Sequence, residues 1–357
     1  MRTQNCFVTI AGVVLLGMLC FQGVGHCAGE LKGVSIIFDT DMGNDIDDAL
    51  ALAICNGLAN AGECRLLAIT VSKDNPYAAE YTSILQSFYG RPEIPIGLVE
   101  NGVTPEAGNY IQAIAEEKDA DGRLVYPRTV TGDKPAVGAV ALLRKVLAAQ
   151  PEQSVVLVVT GFSTNAAGLL RSGPDDYSPL SGMELAEAKL RRVCMMAGNF
   201  SEAALANPEK ADAEYNIVED VSSAKYFIDH CPVPILFSGF EIGNAILYPA
   251  DSIEKDFAAT PNHPLAEAYK RYMKMKMPYD RPCWDLTAVL EAVRPENDYF
   301  RHSSKGTVTV RADGRVGFRA DAQGRHQYLI LNEERKDAVK RLFVELVLRA
   351  EVQYKNP

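Results

Sequence analysis

The sequence predicts an α/β protein: a mostly parallel open sheet with helices on both faces, finished by a C-terminal β-hairpin and helix. Three observations point there. The runs V-S-I-I-F-D at Val34–Asp39 and S-V-V-L-V-V-T at Ser154–Thr160 are short, unbroken and rich in β-branched residues, the pattern of strands buried on both faces. Segments with helix-spaced apolar residues alternate with such runs, which implies parallel strands joined by crossover helices. Polar residues gather just after the strands, where open parallel sheets bind their ligands.

Taken in order, strand Val34–Asp39 is followed by a helix over Asp47–Leu58, whose first turn carries acids that favour the positive end of the helix dipole. A second strand at Arg65–Val71, a helix at Ala78–Tyr89 and a third strand at Ile94–Val99 repeat the unit. Residues 101–133, rich in Gly, Asp, Pro and Thr, read as a surface insertion or lid. A helix at Val137–Ala149 precedes strand Ser154–Thr160, and Asn165–Arg171 opens another helix. Strand Arg192–Met196, helix Ser222–Asp229 and strand Pro234–Ser238 complete the alternation. Residues 303–357 form the C-terminal part. Within it, Thr307–Val310 and Arg315–Arg319 flank Ala-Asp-Gly-Arg, a hairpin signal, and a helix runs over Glu333–Glu351. No fixed-period repeat or linker divides residues 29–357, which read as a single domain.

The composition excludes several partner classes. The 357 residues include 46 acids against 36 Lys and Arg, a formal charge of −10, with 47% hydrophobic and 23% charged residues. This is an ordinary globular balance, and a pI near 5.1 offers no electrostatic footprint for nucleic acid or an anionic membrane. One Trp gives no aromatic channel for an oligonucleotide. A small-molecule ligand is the expectation, and self-association into a homo-oligomer is left open.

The N-terminus reads as a secretory signal peptide over residues 1–28. Arg2 precedes an apolar run at Phe7–Leu19, and Gly23, Gly25 and Ala28 lead to cleavage after Ala28. The mature protein is then secreted or periplasmic, with charge −11 once Arg2 is lost and with no membrane segment. An uncleaved anchor is the competing reading, and His26 fits poorly before a lipidated Cys27. Five cysteines remain: Cys55, Cys64, Cys194, Cys231 and Cys283. Their odd number and spacing indicate buried thiols rather than a disulfide scaffold, although Cys55 and Cys64 are near enough in sequence to pair.

The chemistry concentrates in Asp39-Thr40-Asp41-Met42-Gly43-Asn44-Asp45-Ile46-Asp47-Asp48, five acids in ten residues at a strand-to-helix turn. Carboxylates this close repel unless a cation binds among them. All-oxygen ligands favour Ca²⁺ or Mg²⁺ over zinc. An EF-hand is excluded by the misplaced glycine and the missing closing Glu. The plain alternative is a solvated acidic loop whose Asp residues cap a helix.

At these residues the chain resembles the inosine-uridine-preferring nucleoside hydrolase family, which opens with a strand, an Asp-x-Asp-x-Gly turn and an Asp-Asp pair starting a helix. Asp39-Thr40-Asp41, Gly43 and Asp47-Asp48-Ala49-Leu50 match, with two extra residues between Gly43 and the Asp pair. Thr160-Gly161-Phe162-Ser163-Thr164-Asn165, Ala213-Glu214-Tyr215-Asn216-Ile217 and Trp284-Asp285-Leu286-Thr287-Ala288-Val289 resemble later family motifs in the right order. The resemblance spans about Ser35 to Val293 and implies calcium-dependent hydrolysis of the N-glycosidic bond of ribonucleosides or a related ribosyl compound. It implies Asp41 as general base and metal ligand, with Asp48, Asp285 and the Thr160 carbonyl completing the site and Asp39 steadying Asp41 from behind. Asp45 is a further candidate ligand because of the insertion. Asp47, Asn75, Glu214 and Asn216 would hold ribose hydroxyls, and Asn207 would hold the 5′-hydroxyl.

One departure affects the leaving group. Several members place a His before the late Asp, and here Trp284 stands there. An indole can stack on a base and donate one N–H, but it is no acid at neutral pH. His263 and His302 are the candidate substitutes. Two other functions compete with the hydrolase. One is a non-catalytic periplasmic protein that binds ribosides. The other is a haloacid-dehalogenase-like phosphatase using Asp39 as nucleophile, against which Gly43 stands where that motif wants a β-branched residue.

Overall fold

The computed structural model describes Met1 and residues 33–273 and 277–351; the predicted signal peptide lies outside them. Thirteen strands are present in this region. The core strands are β1 (Val34–Thr40), β2 (Cys64–Lys73), β3 (Ile96–Val103), β4 (Val137–Gly138), β5 (Val155–Val159), β6 (Leu190–Met196) and β7 (Ile235–Ser238). Two short strands, β8 (Leu247–Tyr248) and β9 (Arg281–Pro282), form a separate antiparallel pair. The C-terminal part adds β10 (Phe300–His302), β11 (Gly306–Val310), β12 (Val316–Ala320) and β13 (His326–Leu331).

The main sheet has the order β12-β11-β13-β7-β6-β5-β1-β2-β3-β4, with β10 pairing β13. Strands β1 to β7 pair in parallel throughout, and β13 joins β7 in parallel. Strand β13 pairs antiparallel with β10 and β11, which in turn pairs antiparallel with β12. The predicted hairpin is β11–β12. Strand β13, the bridge between the parallel core and that hairpin, was not anticipated.

The sequence explains the core. From Ser35 to Thr40 every residue of β1 is buried, and all of β5 is buried, as strands covered on both faces must be. The helix Asp47–Asn60 is buried continuously from Asp47 to Leu58 because it lies in the core and touches the C-terminal helix Lys336–Arg349. The helix Gly182–Lys189, absent from the sequence reading, starts at a reciprocal Ser181–Glu184 capping box.

The segment 101–133 includes the helix Ile111–Ala115. Its Tyr110, Ile111 and Ile114 are buried, and Ile111 packs over Gly43. The five cysteines are buried and free, and the Cys64 thiol faces the Cys55 carbonyl at 3.5 Å instead of forming a disulfide. No helix among the described residues is long and apolar enough to cross a membrane.

Candidate active site

The strand order sets the place of the site. From β1 the chain winds outward through β2, β3 and β4, then returns to β5 on the other side of β1. The crevice beyond the carboxyl ends of β1 and β5 is the switch point where ligands bind in such sheets. The two loops are in backbone contact there. Thr160 N–H donates to the Asp39 carbonyl at 2.7 Å, and a Cβ at Gly161 would lie 2.4 Å from the Asp41 nitrogen. Only glycine permits that approach.

A cavity of about 600 Å³ opens at this point. The first loop and its helix contribute Asp41, Asn44, Asp45, Asp47 and Asp48, and the β5 loop contributes Thr160. Asn199, Glu214, Tyr215 and Asn216 come from the long connection after β6, and Arg281, Trp284 and Asp285 from β9 and the helix Trp284–Val293.

The acidic core has the composition of a hard-cation site. Asp41, Asp47, Asp48 and Asp285 are each at most 5% exposed. Asp47, Asp48 and Asp285 each offer a carboxylate oxygen, all within 4.8 Å of one another. Burial, reinforced by mutual repulsion, pushes these three well above the usual carboxylate range. Burial lifts Asp41 to about 6. Burial and repulsion disfavour the charged acids and a bound cation favours them, so the residues fit a divalent ion with oxygen ligands. Thr40 Oγ1 donates to Asp48 Oδ1, and Asp285 N–H donates to Asp47 Oδ2 at 3.1 Å. Asp47, which the resemblance assigns to the ribose, therefore belongs geometrically to the carboxylate cluster and ties the helix Trp284–Val293 to it.

Asp45 is held by an arginine rather than grouped with Asp47, Asp48 and Asp285. Arg281 grips it through Nε to Oδ1 at 2.9 Å and through a terminal nitrogen to Oδ2, and the same arginine donates to Tyr272 Oη at 2.9 Å. Asp39 is 1% exposed and does not line the cavity; Thr70 and Asn165 Nδ2 (2.8 Å) both donate to its Oδ2. Burial raises it to about 7. Its hydrogen bonds run to those two residues and not to Asp41. A nucleophile sealed from substrate in this way rules out the dehalogenase-like reading.

The two polar residues matched beyond β6 reach the cavity. Asn216 Nδ2 donates to the Thr160 carbonyl at 2.7 Å, which couples the amide expected at the sugar to the carbonyl expected at the metal. Glu214 caps the helix Tyr215–Glu219, accepting from the N–H groups of Asn216 (2.7 Å), Ile217 (3.3 Å) and Gly198 (3.2 Å). Burial nonetheless lifts it to about 7.

Two of the expected ribose-binding residues do not line the cavity. Asn75 caps the helix Pro76–Phe88, accepting from Tyr77 N–H at 3.0 Å and donating to the Pro105 carbonyl at 2.6 Å, and it does not line the cavity. Asn207 ends the short helix Glu202–Ala206 on the exposed surface, away from the cavity. Asn199, eight residues earlier and just after β6, lines it instead. Its position two residues beyond a strand end was the signal available.

Neither candidate histidine lines the cavity. His263 caps the helix Pro264–Tyr272 and packs on Phe88 and Phe257, while His302 pairs with Glu291 at 2.9 Å. Trp284 lines the cavity, stacked on Phe240 with centroids 5.6 Å apart, and its Nε1–H is taken by the Phe240 carbonyl at 3.0 Å. With that N–H engaged, the indole offers the cavity an apolar face.

The profile of the family described as inosine-uridine preferring nucleoside hydrolase matches residues 36–342, and the chain belongs to that family. It is 28% identical over 231 residues to the pyrimidine-specific ribonucleoside hydrolase RihA of Klebsiella pneumoniae, a match covering 60% of this chain and 63% of that protein. The chain thus spans somewhat under two thirds of that relative's length. To the RihA protein of Salmonella agona it is 29% identical over 252 residues, 69% of this chain and 72% of the relative. In structure it is similar to the purine-preferring ribonucleoside hydrolase of Gardnerella vaginalis, with TM-score 0.65, 17% identity, and coverage of 89% of this chain and 99% of that one. It is also similar to the inosine-uridine preferring nucleoside hydrolase of Bacillus anthracis, with TM-score 0.61, 16% identity, and coverage of 89% and 100%. These likenesses establish the nucleoside hydrolase fold.

Proposed function

We propose that this protein is a calcium-dependent hydrolase of ribonucleosides, or of a close ribosyl relative, with Asp41 as the general base. The observation that carries the reading is the cluster Asp47, Asp48 and Asp285, which shares one cavity with Asp41, Glu214 and Asn216. Asp41, Asp48, Asp285 and the Thr160 carbonyl would hold the ion, with Asp47 beside them. A bound Ca²⁺ supplies charge that keeps these acids ionised and lowers the pKa of nearby water.

The chain's own groups then account for the rest. Asp41, raised by burial yet ionised above about pH 6, is basic enough to take a proton from a water as its oxygen bonds to C1′. The C1′–N bond breaks with its electron pair leaving on the base, through a sugar with oxocarbenium character. Glu214 and Asn216 would hold ribose hydroxyls, and Asn199 would add a polar group from the same connection. Phe240 and Trp284 present stacked rings for a planar base. The departing base would take its proton from solvent, because no histidine lines the cavity among the described residues.

The test is release of reducing sugar from inosine, uridine, adenosine and cytidine, with calcium or with chelator. Ribose should appear with calcium, vanish with chelator and return on adding calcium back. Tight riboside binding with no release under any condition would favour the non-catalytic binding protein. The apolar leader at Phe7–Leu19 supports export; N-terminal sequencing of the exported protein should then begin at Gly29.

A further inference from the structure

A fully buried lysine stands behind the first loop with no role in the chemistry above. Lys73 closes β2, and its side chain is 0% exposed. Its Nζ donates to Asn44 Oδ1 at 2.7 Å and to the Thr104 carbonyl at 2.9 Å, and lies 3.5 Å from the exposed Glu106 carboxylate. Asn44 in turn donates through Nδ2 to Asp41 Oδ2 at 2.8 Å and to Thr104 Oγ1 at 3.2 Å. Asn44 is the side chain, among the described residues, that donates to Asp41.

An asparagine amide has one accepting end and one donating end. An ammonium, which can only donate, must face the oxygen, so the NH₂ end is turned to the carboxylate. We propose that Lys73 and Asn44 are positioning residues: Lys73 fixes which way the Asn44 amide faces, and Asn44 holds Asp41 by Oδ2, leaving Oδ1 for water or metal. Asn44 also lies in the three-residue stretch between Gly43 and Asp47, where this chain carries two residues more than the family pattern. The arrangement therefore belongs to this chain's own version of the loop. The inference rests on the proposed role of Asp41.

The experiment is a double-mutant cycle of Asn44→Ala, Lys73→Met and the pair together, read by kcat and KM on the best nucleoside and by calorimetric titration with calcium alone. Each single variant should lower kcat by about 10- to 100-fold with KM within threefold, and weaken calcium binding severalfold. The double variant should be no worse than Asn44→Ala, because Lys73 acts through Asn44. Asn44→Asp, which can still pair with Lys73 but cannot donate to Asp41, should match Asn44→Ala in kcat. Should Lys73→Met fail to fold, Lys73→Gln takes its place in the cycle. Additive losses, losses confined to KM, or full activity in Asn44→Asp would overturn the proposal. Because calcium titration needs no turnover, a wild-type protein that releases no ribose would sink the hydrolase reading while the calcium cycle still decides this one.

Discussion

Arg281 and Asp45 form a forked ion pair from opposite ends of the chain, joining β9 to the acidic loop. The arginine lies over the rings of Tyr272 and Trp284, at 5.0 and 5.1 Å from their centroids. Asp45 is thereby committed to structure, whereas Asp48, 1% exposed, answers only to Thr40 and its fellow carboxylates. Asp48→Ala should therefore weaken calcium affinity by at least 100-fold and Asp45→Ala by less than about threefold. Asp45→Ala should instead cost about 2 kcal/mol of stability by stranding a part-buried guanidinium. A calcium titration with the reverse order would mean that the ligand set is displaced along the loop.

Asp41→Asn should lower kcat by ~10²–10⁴-fold, the usual worth of a general base. The melting temperature of the metal-free protein should hold or rise, because the substitution removes a buried charge that burial and Asp45 already disfavour. Near-normal ribose release, or a protein that no longer folds, would contradict the assignment.

Calcium and protons should compete. Asp47, Asp48 and Asp285 bind protons more tightly than ordinary carboxylates in the metal-free state, because burial and repulsion raise them well above the usual range. Binding must expel the protons they hold, so affinity should climb as pH rises. Calorimetry in two buffers of different ionisation enthalpy should give two apparent enthalpies. Equal enthalpies would show that the cluster is already ionised.

His326 gives a pH effect remote from the site. It accepts from Val308 N–H through Nδ1 at 2.9 Å, and burial lowers it to about 4. The folded state thus binds fewer protons than the unfolded one between about pH 6.5 and 4, so the stability it contributes is complete above 6.5 and is lost as pH falls through that window. On the order of 2 kcal/mol should separate the ends, allowing for partial exposure. The difference between wild type and His326→Asn, from urea unfolding in chelator at pH 8 and pH 4.5, isolates it. A difference independent of pH would contradict the account.

Much of this was legible in the sequence because it is local. Strands β1 and β5 announce themselves as unbroken apolar runs, and the acids follow β1 within a single loop. Asn216, Glu214 and Asp285 were found through short motifs that the fold brings to the same cavity. Asn75 sits in its expected place after β2, but the same Asn-Pro pair that places it there is also a helix start, and its side chain caps that helix. Arg281, Phe240 and Tyr272 gave no signal: each is an ordinary residue in its own segment, and only the packing of distant segments makes them a wall. Strand β13 was missed for a related reason, since its partners β7, β10 and β11 include strands far along the chain and its own run is short.

The most direct test is an anomalous-scattering map from crystals grown in millimolar calcium. The account predicts one peak held by carboxylate oxygens of Asp41, Asp48 and Asp285 and by the Thr160 carbonyl. No peak there, with Asp285 turned away from Asp41, would contradict it.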